Sequence, residues 1–280
     1  MKTLVSTLLI TAVVAAFYSG EAESVVDRDI VLAMPFDEGG GETTKDLSRH
    51  GNHGTLKQNA KWGAGKFGTA IQVEPDGYVD VGKDRSLKLY KSDFTIAVWI
   101  NMEETLFGHR HAFIAQDEGP GLMDKWILGY SLNGNPTFNI LRVVGDGAGG
   151  ASSGRSFPWE VQPQTWHHVA IVRDRFPRSL GEERTIYLDG EQVAQSRIPS
   201  KITDDFTPRS INAPVTIGFA EEDIWLDGLI DEVLIAKRAF TQEEITAHFQ
   251  GGIKRGLGLA VEPNEKSAVA WGAIKADLLH

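Results

Sequence analysis

Trp166-His167-His168-Val169-Ala170-Ile171-Val172-Arg173-Asp174, a polar loop, and then Thr185-Ile186-Tyr187-Leu188-Asp189-Gly190-Glu191-Gln192 decide the fold class. Read as a strand, the first segment sends Val169, Ile171 and Arg173 to one face and Trp166, His168, Ala170 and Val172 to the other. The intervening residues 175–184 are charged and carry Pro177 and Gly181, which marks an exposed loop. Ile186-Tyr187-Leu188 then runs into Asp189-Gly190, the strongest short-range hairpin signal.

The rest of the chain reads as strands laid against this one. Phe94-Thr95-Ile96-Ala97-Val98-Trp99-Ile100 is β-branched and aromatic and apolar on both faces, so it is a central strand. Ile30–Phe36 is a first strand, stopped by Asp37-Glu38-Gly39-Gly40-Gly41. Residues 46–54 are dense in Asp, Ser, Asn and Gly and form a loop. Ala70–Val73 and Tyr78–Val81 are expected to pair as a hairpin across Glu74-Pro75-Asp76-Gly77. Trp126–Leu132 and Thr137–Val144 form another across Asn133-Gly134. Gly145–Gly154 and Ile198–Ile211 are loops, and Ala213–Phe219 and Leu229–Ala236 are strands. Thr241 and Glu244 have capping-box spacing, and Gly251-Gly252 closes the short helix they open. Strands at these intervals with one short helix predict an all-β, two-sheet antiparallel jelly-roll sandwich with one C-terminal helix.

The chain has 280 residues, is 41% hydrophobic and carries seven tryptophans, enough for one large β domain. Its net charge of −10 argues against a nucleic-acid partner, which needs a basic footprint. Met1-Lys2, the apolar run Leu4–Phe17 and the small residues Gly20 and Ala22 read as a signal peptide over residues 1–22. The apolar run is too short for a good membrane span, and nothing else is apolar enough to be one. The expected location is therefore secreted, periplasmic or cell-surface, with a domain over residues 23–253 and a tail over 254–280 that packs on the sandwich or docks on a partner. There is no cysteine, which excludes disulfides and thiolate chemistry.

In chain order, Asp37-Glu38-Gly39, Asp46-Leu47-Ser48, Gly51-Asn52-His53-Gly54, Gly63 through Gly68, Tyr78-Val79, Phe94–Trp99, Trp166–Ala170, Tyr187-Leu188-Asp189-Gly190, Ile217-Gly218, Gly228–Val233 and the helix at Ile245 resemble a laminin-G-like domain of the concanavalin A-like jelly-roll class. The resemblance runs from about Ile30 to Phe249. It implies the fold strongly and function weakly, because the same fold carries lectins, adhesion modules, glycoside hydrolases and spacers. The tail, with Leu259-Ala260-Val261 and Trp271-Gly272, resembles the ends of exported bacterial proteins that hold this domain.

Asp46, Asn52 and the Ser48 region supply hard oxygen ligands on a Gly-rich loop, which suits calcium. The resemblance implies Asp46, Asn52 and Asp231 as ligands of a structural Ca²⁺ tying the sandwich together; the alternative is that Asp46 and Asn52 cap turns and Asp231 accepts main-chain hydrogen bonds. His50 and His53, His109 and His111, and the His167-His168 pair are weak zinc signals, and the Trp-His-His run is structural in the family it resembles. No Glu-x-Asp-x-x-Glu strand motif is present for a retaining glycosidase, and Asp231 and Glu232, being adjacent, are expected on opposite faces. No catalytic residue is assigned. Sugars stack on exposed aromatics, and Trp126, Trp159 and Trp225 are the candidates. The expectation is a non-catalytic binding or adhesion module for a glycan or a cell-surface or extracellular protein. A glycoside hydrolase and an assembly protein docking through its tail remain the alternatives.

Overall fold

The structure is a computed structural model; it describes residues 27–89, 92–103, 110–117, 119, 125–131, 138–142, 154–158, 162–175, 182–198, 212–220 and 224–258. The signal segment 1–22, Trp159, His109 and the tail from residue 259 lie outside the described residues. Strands are numbered in chain order. The first sheet contains β1 (Ile30–Met34), β4 (Lys61–Ala64), β5 (Thr69–Val73), β7 (Phe94–Met102), β12 (Trp166–Arg175), β13 (Glu182–Leu188), β14 (Glu191–Ile198) and β18 (Gly228–Ala236). Its order is β14-β13-β12-β7-β18-β5-β4, with β1 also on β18. The second sheet runs β11 (Gly154–Pro158), β10 (Phe138–Arg142), β9 (Lys125–Ser131), β8 (Arg110–Asp117), β15 (Val215–Ile217), β6 (Tyr78–Gly82), β3 (Gly54–Lys57) and β2 (Thr43–Thr44). Each of these pairings is antiparallel.

The expected alternation holds where the sequence is most regular. β12 pairs with β7 through Val169↔Val98 and Ile171↔Ile96, and these four side chains enter the core between the sheets. Ala97, Ala170 and Leu234 face the other way and floor a second core with Ile245 and Ile253. Asp189 and Gly190, at φ 49° and 82°, form the turn between β13 and β14; two consecutive positive φ values match the right-handed twist of a hairpin. β7 is central, between β12 and β18, and is buried on both faces as its composition requires.

The second core is covered by α1 (Gln242–Gly251). Thr241 caps it: its hydroxyl accepts from Glu244 N, and the Glu244 carboxylate accepts from Thr241 N. Arg238 ties the helix start to the segment leading into the first strand, bonding both Asp27 and Glu244. The chain does not leave the fold at residue 254. A turn over Gly252–Gly256 buries Ile253, and Lys254 pairs with Asp37 at 2.8 Å.

One expected hairpin is wrong. β5 and β6 do not pair: β5 lies between β18 and β4 in the first sheet, and β6 between β3 and β15 in the second. The Glu74–Gly77 segment carries the chain from one sheet to the other. Turn residues fix a reversal, not which layer the next strand enters.

Candidate functional site

A third, two-stranded ribbon, β16 (Phe219–Ala220) with β17 (Ile224–Trp225), lies on the outside of the second sheet. Alternation sorts its side chains. Ala220 and Ile224 are opposite each other and pack on Ala112, Ala115 and Ile127 of β8 and β9. Phe219 and Trp225, also opposite each other, take the other side and are half-buried. Directly opposed side chains stand about 5 Å apart at Cβ. Tyr78, half-buried on β6, stacks on Phe219 with ring centres 5.3 Å apart and planes 29° apart. Trp225, Phe219 and Tyr78 thus form one aromatic row. The ribbon is fixed at its base: Leu226 N donates to Gly218 O, Gly218 N to Phe113 O, and the Thr216 hydroxyl to Phe219 O.

Two residues past Trp225, Asp227 lines a cleft of about 370 Å³ with Gln72, Glu74, Glu103 and Leu229. These are oxygen-rich walls, suited to accepting hydrogen bonds from hydroxyl groups. Lys61 pairs with Glu74 at 2.6 Å, and Gln164 donates to Glu103 at 3.0 Å, so both acids are held in place.

Of the three tryptophans expected to meet a sugar, Trp225 stands in this row and Trp159 lies outside the described residues. Trp126 is a correction. It is 2% exposed in the inter-sheet core, and its indole N–H donates to Gln116 Oε1. Its register opposite Gln116 in the middle of the second sheet turns the ring inwards, away from any ligand. Phe219 and Tyr78 were not singled out from sequence. The signal was there in the alternation of Phe219-Ala220 and Ile224-Trp225 around the acidic residues 221–223.

Asp46, Asn52 and Asp231 do not make one ligand set. Both oxygens of Asp46 are taken by four protein donors: Ala33 N, Ser48 N, the Ser48 hydroxyl and Asn52 N. The Asn52 amide donates to Val31 O and to the Ser86 hydroxyl. Asp231 is engaged elsewhere, accepting from Phe67 N and Glu232 N. A calcium ion would have to displace N–H groups already pointing at these oxygens, so the residues do not fit the ion. Among the described residues no group of three His, Asp or Glu side chains is arranged to hold a metal.

Asp231 and Glu232 do not lie on opposite faces. β18 bulges there: Glu232 takes φ 54°, and the register shifts between Asp231 and Leu234. The extra residue puts both carboxyls on the helix-covered face. Glu232 Oε2 accepts from Ile253 N at 2.5 Å. Burial pushes Asp231 up to about 7 and Glu232 up to about 8. Glu232 holds the turn after the helix, and Asp231 holds the β4–β5 turn through Phe67 N.

His53, His167, His168 and His248 are held by protein partners as well. His53 Nδ1 accepts from Asp46 N, and His167 Nδ1 meets Asp189 Oδ2 at 3.0 Å. His168 Nε2 meets His248 Nδ1 at 2.9 Å beneath α1, and burial holds His168 well below the usual histidine range and His248 at about 4.

A family model described as the concanavalin A-like lectin/glucanases superfamily matches residues 74–246, more than half of the chain. The chain belongs to this superfamily. No curated protein sequence matches it. Among solved structures, superfamily-like folds recur at low identity. The binding domain of Paraclostridial Mosquitocidal Protein 1 superposes with a TM-score of 0.59 at 16% identity, covering 79% of this chain and 52% of that one. Domain 4 of AbnA, a GH43 extracellular arabinanase from Geobacillus stearothermophilus, solved with arabinotriose, gives 0.55 at 19%, covering 78% and 97%. The binding domain of Botulinum Neurotoxin DC in complex with SialylT gives 0.56 at 13%, covering 80% and 52%. This chain therefore spans about half of the toxin binding domains and nearly all of the arabinanase domain. At these identities the likeness establishes the sandwich fold. Among the described residues no helix is long and apolar enough to cross a membrane.

Proposed function

We propose that this chain is an exported, non-catalytic glycan-binding module, and that the Trp225–Phe219–Tyr78 row is where a sugar stacks. The row carries the reading. Half-buried aromatic side chains on the outer side of a ribbon add nothing to the core that Ala220 and Ile224 already close. Aromatic faces bind the C–H faces of sugar rings, and Asp227, two residues past Trp225, lines a cleft whose Glu74 and Glu103 add acceptors for hydroxyls. Superfamily folds of this kind solved with arabinotriose and with SialylT support the ligand class. The residues that would do chemistry as carboxyls of raised pKa, Asp231 and Glu232, are buried and bonded to main-chain N–H groups. That favours binding over hydrolysis.

The test is an oligosaccharide array followed by isothermal titration with the strongest hit. Trp225→Ala is expected to weaken binding by at least about ten-fold, or about 1.4 kcal/mol, with unfolding unchanged. Unchanged affinity in Trp225→Ala and in Tyr78→Ala would remove the row from the binding site.

A further inference from the structure

A second cleft lies at the helix-covered face of the first sheet. The Gly65–Gly68 turn between β4 and β5 forms one wall, and the Gly252–Gly256 turn after α1 forms the other. They enclose about 580 Å³, within the range of small-molecule sites. Lys66, Lys254 and Arg255 meet Asp37 and Glu232 there, beside the half-buried ring of Phe67. Three cations against two carboxyls is a local excess of positive charge on a chain whose net charge is −10.

The cleft is built rather than incidental. Lys66 Nζ is held 4.3 Å from the centre of the Trp99 ring, and Phe67 packs edge-on to the same ring. Lys254 is fixed by Asp37, whose Oδ1 also accepts from Thr69 N. Two glycines let the carboxyls lie against bare main chain. A Cβ on Gly68 would fall 1.9 Å from Asp37 Oδ1, and one on Gly252 would fall 2.6 Å from Glu232 Cδ. Both glycines have positive φ, 70° and 63°. Lys66 and Arg255 are exposed, and among the described residues neither forms an ion pair with a carboxylate.

We infer that this cleft binds a sugar residue carrying a carboxylate, with Lys66 and Arg255 on the carboxylate, Asp37 accepting from hydroxyls and Phe67 against the ring. The site is separate from the aromatic row and does not depend on it. A planar carboxylate suits the guanidinium fork of Arg255, with Lys66 as a point charge. Phe67 and Asp37 would give the preference for a saccharide over a bare anion.

Isothermal titration with tri-galacturonate, an alginate trisaccharide and sialyllactose tests this, with the methyl ester of each binding sugar and inorganic sulfate alongside. At least one acid sugar is expected to bind. Its ester and the Lys66→Gln/Arg255→Gln variant should each lose about ten-fold or more, as removal of charge-assisted hydrogen bonds requires. Trp225→Ala should bind it normally, which separates this site from the aromatic row. Both substituted side chains are exposed, so the variant should unfold at the wild-type temperature. The inference is overturned if none of the three sugars binds, if the ester binds as well as the acid, or if the folded double variant keeps wild-type affinity. Sulfate binding as tightly as the sugar would also overturn it, because the cleft would then be an anion hole without saccharide recognition.

Discussion

Raising the pH from 6.5 to 8 should destabilise the protein, and Glu232→Gln should abolish most of the loss. Asp231 and Glu232 ordinarily titrate near 3.8 and 4.5, and burial raises them to about 7 and about 8 in the folded state. Groups raised on folding contribute stability that is complete below the unfolded pKa and is lost as pH climbs through the folded one. His168 and His248 act in the opposite sense. Burial lowers both from 6.5, so their contribution is complete above 6.5 and lost on acidification. Between pH 4.5 and 6.5 the two pairs oppose each other and stability changes little. Above 6.5 only the acids remain. Each can remove about 1.4 kcal/mol per pH unit, Asp231 until about 7 and Glu232 until about 8. The wild type should therefore lose about 2–3 kcal/mol across this window. Glu232→Gln keeps an oxygen for Ile253 N but has no proton to lose, and should lose less than about 1 kcal/mol. Urea unfolding at half-unit pH steps in the presence of EDTA reads both curves. A flat wild-type profile from 6.5 to 8, or an equal slope in Glu232→Gln, would refute the reasoning.

Four further outcomes are expected. Asp46→Ala strips the acceptor from four buried donors and should cost about 3 kcal/mol in urea unfolding. Calcium restored to EDTA-treated wild type should leave its melting temperature within about 1 °C, since a structural ion at 100 times its Kd would add about 2.7 kcal/mol; a rise of several degrees, lost in Asp46→Ala, would return the ion to this loop. Trp126→Ala should cost about 3–5 kcal/mol while leaving the glycan affinity of the folded protein unchanged, measured by urea unfolding and titration on one preparation. Gly252→Ala places a methyl against the Glu232 carboxyl at a positive φ, and should cost about 1–3 kcal/mol with faster exchange of the Ile253 amide.

The central strands were legible because their period is unambiguous. Val169 and Ile171 alternate with Ala170 and Val172, and both sets need a partner layer, so two cores follow from the sequence of β12 alone. Asp189-Gly190 also behaves as read, since a two-residue turn has few backbone solutions. What escaped depends on a third dimension. Glu74-Pro75-Asp76-Gly77 looks the same whether it joins neighbours or crosses between layers. Trp126 and Trp225 both follow polar or charged neighbourhoods, and only the sheet each strand joins separates an inward ring from an outward one. The Asp231-Glu232 pair was misplaced because period-two reasoning assumes a regular ladder, and a single bulge residue at positive φ reverses it. The basic cleft was invisible because Lys66 and Arg255 are 189 positions apart and meet only through the folded helix end.

β18 has a consequence for how the molecule comes into being. It pairs with β7 along its length, with β5 through its first half and with β1 through its second. The earliest described strand and the sheet's middle are thus joined by a segment some two hundred residues later. In a chain emerging from the ribosome, β7, β12, β13 and β14 can pair with one another, but among the described strands β1 has no ladder partner until residues 233–236 have been made. Closure of that distance is slow for an all-β topology. Until then β7 exposes one hydrogen-bonding edge, and the nascent protein depends on whatever keeps such an edge from pairing with another chain.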